Sequence, residues 1–221
     1  MITVWGRRNS VNVQKVLWAL EELDVPYTRE NVGGSFGSNQ DADYLAMNPM
    51  GLVPVIRDGD VTMFESNAIV RYLAARFRAG VLRPAEHRSL AMAEQWMEWA
   101  QVNFAPAVST LFVNRVRSLP EHRDVAAAAA AEKKAAEVLV VADAWIARHD
   151  WFAGQDFSFG DIVMGASLWR YTGVDCIRPP MPHLMEWFEA VQQREAFRRA
   201  VMAVPRAKDL ADWKRIEKET A

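Results

Sequence analysis

Phe64-Glu65-Ser66 stands between the apolar run VTMF and a stretch of helical spacing. Ser66 can cap the unpaired N–H groups of that helix start with its hydroxyl, or it can join them in holding an anion. Both uses draw on the same donors. Glu65, in a tight strand-to-helix turn, adds an acid whose complement is a cationic partner. Just upstream, VPVI and VTMF flank Arg57, Asp58, Gly59 and Asp60, which by spacing and turn chemistry reads as a β-hairpin. Pro54 lies inside its first strand although proline has no N–H to give a sheet, so read alone it starts an edge strand. In RRNSVNVQK, Ser10 and Asn12 stand ahead of another helix, where serine is a capping residue and asparagine an exposed first-turn residue. Ser158 and Asp161 in FSFGDIV have capping-box spacing, a structural device rather than a chemical one. The four histidines, 87, 122, 149 and 183, are far apart and show no metal-ligand spacing.

The elements that must position these residues follow from periodicity. ITVW alternates, and Val13, Val16, Leu17, Leu20 and Leu23 recur at helical spacing, which predicts strand, loop and helix. Pro26 ends the helix and YTRENV reads as a second strand, completing a βαβ unit with a right-handed crossover. GGSFGSNQD is a loop, DADYLAM a short helix, and Ala68, Ile69, Tyr72, Leu73 and Phe77 mark a third long helix after the hairpin. Beyond residue 86 the periods are helical throughout: SLAMAEQWMEWAQVNFAPAV, DVAAAAAAEKKAAEVLVVADAWIARH, DIVMGASLWRYTG, HLMEWFEAVQQ and AFRRAVMAV. The run of alanines in the second has the highest helix propensity available. RAGVLRPAE joins the two parts. The expected organisation is an α/β domain over 1–78 and an all-α domain over 86–221, with no internal repeat.

Composition narrows the function classes. The chain has 221 residues, 51% of them hydrophobic, enough for a sizeable core. With 26 basic and 28 acidic residues and no cationic run, nucleic acid is not an expected partner. The single cysteine, Cys176, excludes an internal disulfide framework and carries no expected role. No stretch approaches a membrane span, and MITVWGRRNS lacks the apolar region of a secretory signal, so a soluble cytoplasmic protein is expected.

The S-x-N loop before the first helix, NPMGLVPV, FESNAIVRYLA and FSFGDIVMGASL, in that order and spacing, resemble the cytosolic glutathione transferase family over essentially the whole chain, with serine/asparagine-type, theta- or beta-like bacterial members closest in pattern. The resemblance implies a thioredoxin-like domain that binds glutathione as co-substrate, followed by a helical domain with an electrophile pocket. It implies a cis Val53–Pro54 bond that turns the Val53 N–H and C=O toward the cysteinyl part of glutathione. Ser66 and its neighbouring amides would hold the γ-glutamyl carboxylate, with Glu65 near the α-amino group.

A hydrogen bond to sulfur favours the thiolate, the attacking form. Ser10 matches the position of the activating hydroxyl in serine-type members and Asn12 the place where some bacterial members use asparagine. Both lie at a helix N-terminus whose partial charge favours an anion. The loop holds no tyrosine and no cysteine, which disfavours the tyrosine-type and disulfide-exchange mechanisms. Gly51 and Leu52 stand where many members carry a cation for the glycyl carboxylate; Asn39 and Gln40 are candidate substitutes. Trp96, Trp99 and Phe104 lie where the family lines its electrophile pocket, with Phe112, Arg115 and Trp169 within reach of it. Transfer of the glutathione thiolate to an apolar electrophile is the implied activity, in detoxification, by a homodimer meeting through the third helix and the helix through Glu94 and Glu98. An isomerase, peroxidase or dehalogenase on the same site and a non-catalytic binding module are the alternatives. No metal is expected.

Overall fold

The computed structural model describes residues 1–78 and 80–221; Ala79, in the segment expected to join the two parts, lies outside the described residues. The N-terminal part runs β1 (Ile2–Trp5), α1 (Val11–Glu22), β2 (Tyr27–Glu30), α2 (Ala42–Met47), β3 (Val55–Asp58), β4 (Val61–Phe64) and α3 (Ser66–Arg76). The sheet order is β2-β1-β3-β4, with β1 and β2 parallel and β3 antiparallel to both β1 and β4. Arg57 and Asp58 belong to β3, so the hairpin turn is Gly59-Asp60 alone, and Gly59 supplies the positive φ of 61° that a two-residue turn requires.

α1 is buried without a break from Val13 to Leu20. A helix buried on all sides needs partners on all sides. α3 packs against it from the N-terminal part, while α7 (Ile162–Thr172) and α9 (Glu195–Phe197) with the π-turn that continues it pack against it from the helical part. The apolar core is accordingly continuous from Ile2 and Val4 through Trp18 to Phe188 and Phe197.

The helical part also contains α4 (His87–Trp99), α5 (Ala105–Phe112), α6 (Val125–Ile146), α8 (Pro182–Gln193) and α10 (Leu210–Glu219). SLAMAEQWMEWAQVNFAPAV forms one helical rod that widens into a π-turn at residues 100–104, just ahead of Pro106 in the first turn of α5. A proline cannot donate to the preceding turn and its ring crowds that carbonyl, which accounts for the widening. Among the described residues after 86, the only strand-like pairing is an isolated bridge between Trp151 and Gly154. The last helix, α10, lies beyond the expected periodicity, which stopped at Val204; Asp209 caps it by accepting the Asp212 N–H at 2.8 Å.

The capping box at α7 forms as its spacing predicts. The Ser158 hydroxyl accepts the Gly160 N–H at 3.1 Å, and Asp161 accepts the Ser158 N–H at 3.0 Å. Asp161 also accepts the Phe152 N–H and the Trp187 indole N–H, both at 3.1 Å. Burial pushes its carboxyl up to about 6, against the opposing pull of these bonds from Phe152, Ser158 and Trp187 and a longer one from the Ser158 hydroxyl at 3.4 Å.

Candidate functional site

Ser10 is the N-cap residue of α1 by backbone only. Its carbonyl accepts the Gln14 N–H at 2.9 Å, but its side chain makes no capping bond. The hydroxyl is thus left for another partner at the positive end of a helix. Asn12, in the first turn and half-buried, also has no side-chain hydrogen bond among the described residues. The loop carrying Ser10 is pressed against the Val53 loop through Gly6, whose φ is +156°; a methyl there would come within 2.5 Å of Val13 and 3.3 Å of Val53.

The Val53–Pro54 peptide is cis. Val53 pairs neither its N–H nor its C=O with any described residue. The residue before it is anchored instead: the Leu52 carbonyl accepts the Tyr44 hydroxyl and the Asn48 amide, each at 2.8 Å. Leu52 turns its side chain to solvent. Asn39 donates from Nδ2 to the Gly51 carbonyl at 2.8 Å, and the Gln40 amide lies over Gly51, where an added methyl would meet Nε2 at 2.2 Å. The structure therefore brings Asn39, Gln40, Val53 and Pro54 together around one loop.

Glu65 and Ser66 begin α3. Glu65 is exposed and takes a left-handed conformation, φ 68° and ψ 104°, which a non-glycine residue adopts at a cost of order 1–3 kcal/mol. Its side chain caps nothing, so the first N–H groups of α3 stay open beside the buried Ser66. Next to them lies a residue that the sequence reading passed over. Lys15 of α1 is 1% exposed and reaches Gln101 Oε1 at 2.9 Å and Asn67 Oδ1 at 3.4 Å.

The aromatic residues separate. Phe112 and Trp169 share a narrow cleft with Gln14, Arg170, Val204 and Trp213. Trp99 and Trp96 pack edge to face at 4.8 Å in a cluster with Trp145 and Phe152. Phe104 is fully buried against Tyr171, and Arg115 pairs with Glu132 at 3.0 Å on the outer face. Trp99, Phe104 and Arg115 do not line that cleft.

α10 closes it. Trp213 packs edge to face on Phe112 at 4.9 Å, and the Arg170 guanidinium sits 4.5 Å from the Phe112 ring centre and 5.5 Å from that of Trp213 while donating to the Asn9 carbonyl at 2.7 Å. Enclosure draws the Arg170 pKa down to about 9, with Arg7 and Arg117 adding to the effect. Glu217 accepts the Ser35 N–H at 3.0 Å and meets Arg7 at 3.4 Å, and Arg7 donates to Asn9 Oδ1 at 2.7 Å. Gly34, at φ +62°, leaves the space: a methyl there would stand 2.4 Å from Glu217. Leu210, Trp213, Ile216 and Glu217 repeat at helical spacing, a signal sufficient to find α10, but nothing in it foretold a buried glutamate.

The model of the family "Glutathione S-transferase, N-terminal domain" matches residues 1–75, and that of "Glutathione S-transferase, C-terminal domain" matches 100–195. The chain belongs to the glutathione S-transferase family. It is 44% identical over 207 residues to glutathione S-transferase GstB of Escherichia coli K12, covering 91% of this chain and 98% of that one. It is 34% identical over 216 residues to glutathione S-transferase 3 of Zea mays, covering 92% and 95%. The solved theta class glutathione S-transferase of Xanthomonas axonopodis pv. citri, with glutathione bound, superimposes with a TM-score of 0.87 at 43% identity over 91% of this chain and 97% of that one. The four-stranded mixed sheet followed by helices is the glutathione transferase fold that the motifs implied. No helix among the described residues is long and apolar enough to cross a membrane, and none of their acidic, histidine or cysteine side chains group as a metal site.

Proposed function

We propose that this glutathione transferase activates its co-substrate with the Ser10 hydroxyl and adds the thiolate to an apolar electrophile. The observation that carries the reading is the uncommitted Ser10 side chain at the start of α1. The hydroxyl donates to sulfur and lowers the free energy of the charged form more than that of the thiol. Asn12 has the second claim on that role. Val53 offers one N–H and one C=O to the cysteinyl residue as an added strand would, with Pro54 fixing the turn. Ser66 and the open N–H groups of α3 receive the γ-glutamyl carboxylate, and Glu65 the α-amino group.

Asn39 braces Gly51 and leaves the exposed Gln40 amide as the glycyl-end contact. Phe112 and Trp169 are the best-placed walls for the electrophile, with Trp99, Phe104 and Arg115 further from it. The boundary between the glutathione-binding domain, 1–78, and the helical domain, 86–221, falls in RAGVLRPAE. The working protein is a cytoplasmic homodimer engaged in detoxification, meeting through α3 and α4. Those helices are already joined within the chain by Arg71, which pairs with Glu94 and Glu98, so their carboxylates enter the interface neutralised. The test is the thiolate absorbance of bound glutathione as a function of pH in wild type, Ser10→Ala and Asn12→Ala. A raised thiol pKa in Ser10→Ala alone supports the reading, and a raised pKa in Asn12→Ala alone transfers the role.

A further inference from the structure

An ammonium group inside a protein is costly unless an opposite charge meets it. Lys15 has none at bonding distance among the described residues. Its partners are two amide oxygens, those of Gln101 and Asn67, and Asn67 Nδ2 in turn faces the same Gln101 oxygen at 3.4 Å. This cluster joins three elements: α1, one turn past Ser10; α3, at the residue after Ser66; and the π-turn between α4 and α5. The charges bearing on Lys15 are few. From the start of α3 it faces Glu65, from α4 Glu98, and from α7 the repelling Arg170. Glu98 is committed to Arg71. α9 and its π-turn, also packed on α1, direct Arg199 to Glu21 and Glu195 instead.

We propose that Lys15 is a positioning residue for glutathione: the buried ammonium is completed by the γ-glutamyl carboxylate at the start of α3, and it holds Gln101 and Asn67 in place around that end of the tripeptide. The inference rests on the glutathione-site reading above. An anion arriving beside an amine favours its protonated form. In the free protein burial lowers the amine to about 7, so near neutral pH a fraction of molecules carries Lys15 uncharged. Binding therefore draws in a proton, and the ligand's affinity falls as pH rises beyond neutrality even when the thiol is blocked.

The experiment is calorimetric titration with S-methylglutathione, which has no thiol proton to lose, at about pH 7.5 in buffers of different ionisation enthalpy. Wild type should take up a fraction of a proton on binding. Lys15→Arg, charged at the pH of the titration, should bind without uptake and with little dependence of affinity on pH around neutrality. Lys15→Met should bind about tenfold or more weakly, also without uptake, as expected for loss of a charged hydrogen bond. Circular dichroism melts identify the variants that are folded at the titration temperature, and Lys15→Arg supplies the decision if Lys15→Met is not. Proton uptake that persists unchanged in Lys15→Arg overturns the proposal, as does wild-type binding with no uptake. If wild type does not bind S-methylglutathione at all, the site reading itself falls and takes the proposal with it.

Discussion

The carboxylate of Glu217, on the last helix, meets the guanidinium of Arg7, in the loop after the first strand, at 3.4 Å, with both side chains largely enclosed. Removing one partner of an enclosed pair leaves the other uncompensated. Glu217→Gln should therefore destabilise the protein by roughly 3 kcal/mol, read as a lowered urea midpoint. Released from Arg7 and Ser35, α10 should also uncover the Phe112–Trp169 cleft, seen as faster quenching of tryptophan fluorescence by acrylamide.

Ser10→Ala should cut kcat roughly a hundredfold, on the scale of losing one preorganised donor to a developing anion, with a smaller change in glutathione KM. Asn12→Ala should be milder in both. Steady-state kinetics at saturating electrophile separates the two, and the reverse ranking would make Asn12 the sulfur donor.

Glutathione should be held unevenly. On the site reading proposed above, the γ-glutamyl end would meet Ser66, Glu65 and the open start of α3, whereas the glycyl end would find only Leu52, which turns to solvent, and the Gln40 amide. Ser66→Ala or Glu65→Ala should weaken binding about tenfold or more. γ-Glutamylcysteine and the glycyl amide should bind nearly as well as glutathione. A large loss with either ligand in competition titrations would reveal a cation at the glycyl end.

Lys15 should also leave a mark on stability. Its pKa is about 7 in the folded chain against 10.5 ordinarily. Between those values the unfolded chain holds a proton that the folded chain has shed, so raising the pH there favours the folded state. Below about 7 the amine is charged in both states and the folded protein bears the full cost of burying it. Relative to wild type, Lys15→Met should gain less, or lose more, in melting temperature between about pH 6.5 and pH 9.

Asp161→Ala should strand three buried donors, the N–H groups of Phe152, Ser158 and Trp187. At about 1–3 kcal/mol per orphaned group, the loss should be the largest of any substitution named here and should appear in expression and melting temperature. The thiol pKa of bound glutathione in the remaining folded protein should not move.

Local periodicity accounts for most of what the sequence revealed. The βαβ unit, the hairpin and the helices up to Val204 each repeat over enough residues to be read, and the capping box is a short-range pattern with one geometric solution. What stayed hidden depends on contacts between distant segments. Lys15 reads as an ordinary helical lysine until Asn67 and Gln101 arrive from elsewhere in the chain. Arg7, Asn9 and Glu217 become a cluster only because α10 returns over the first loop. Conversely, Arg115 and Phe104 resemble pocket residues by type and position, yet one pairs with Glu132 and the other fills the core.

The unbroken burial of α1 from Val13 to Leu20 bears on how the molecule comes apart. Each half of the chain supplies one wall of the same helix, so neither half can melt and leave the other with a finished interior. Heat or denaturant should meet a single cooperative unit, and the most protected amides in hydrogen exchange should lie along α1 and open only with the whole molecule. A chain ended at Arg78 would present Trp18 and its neighbours to water and would sooner self-associate than survive as a monomer.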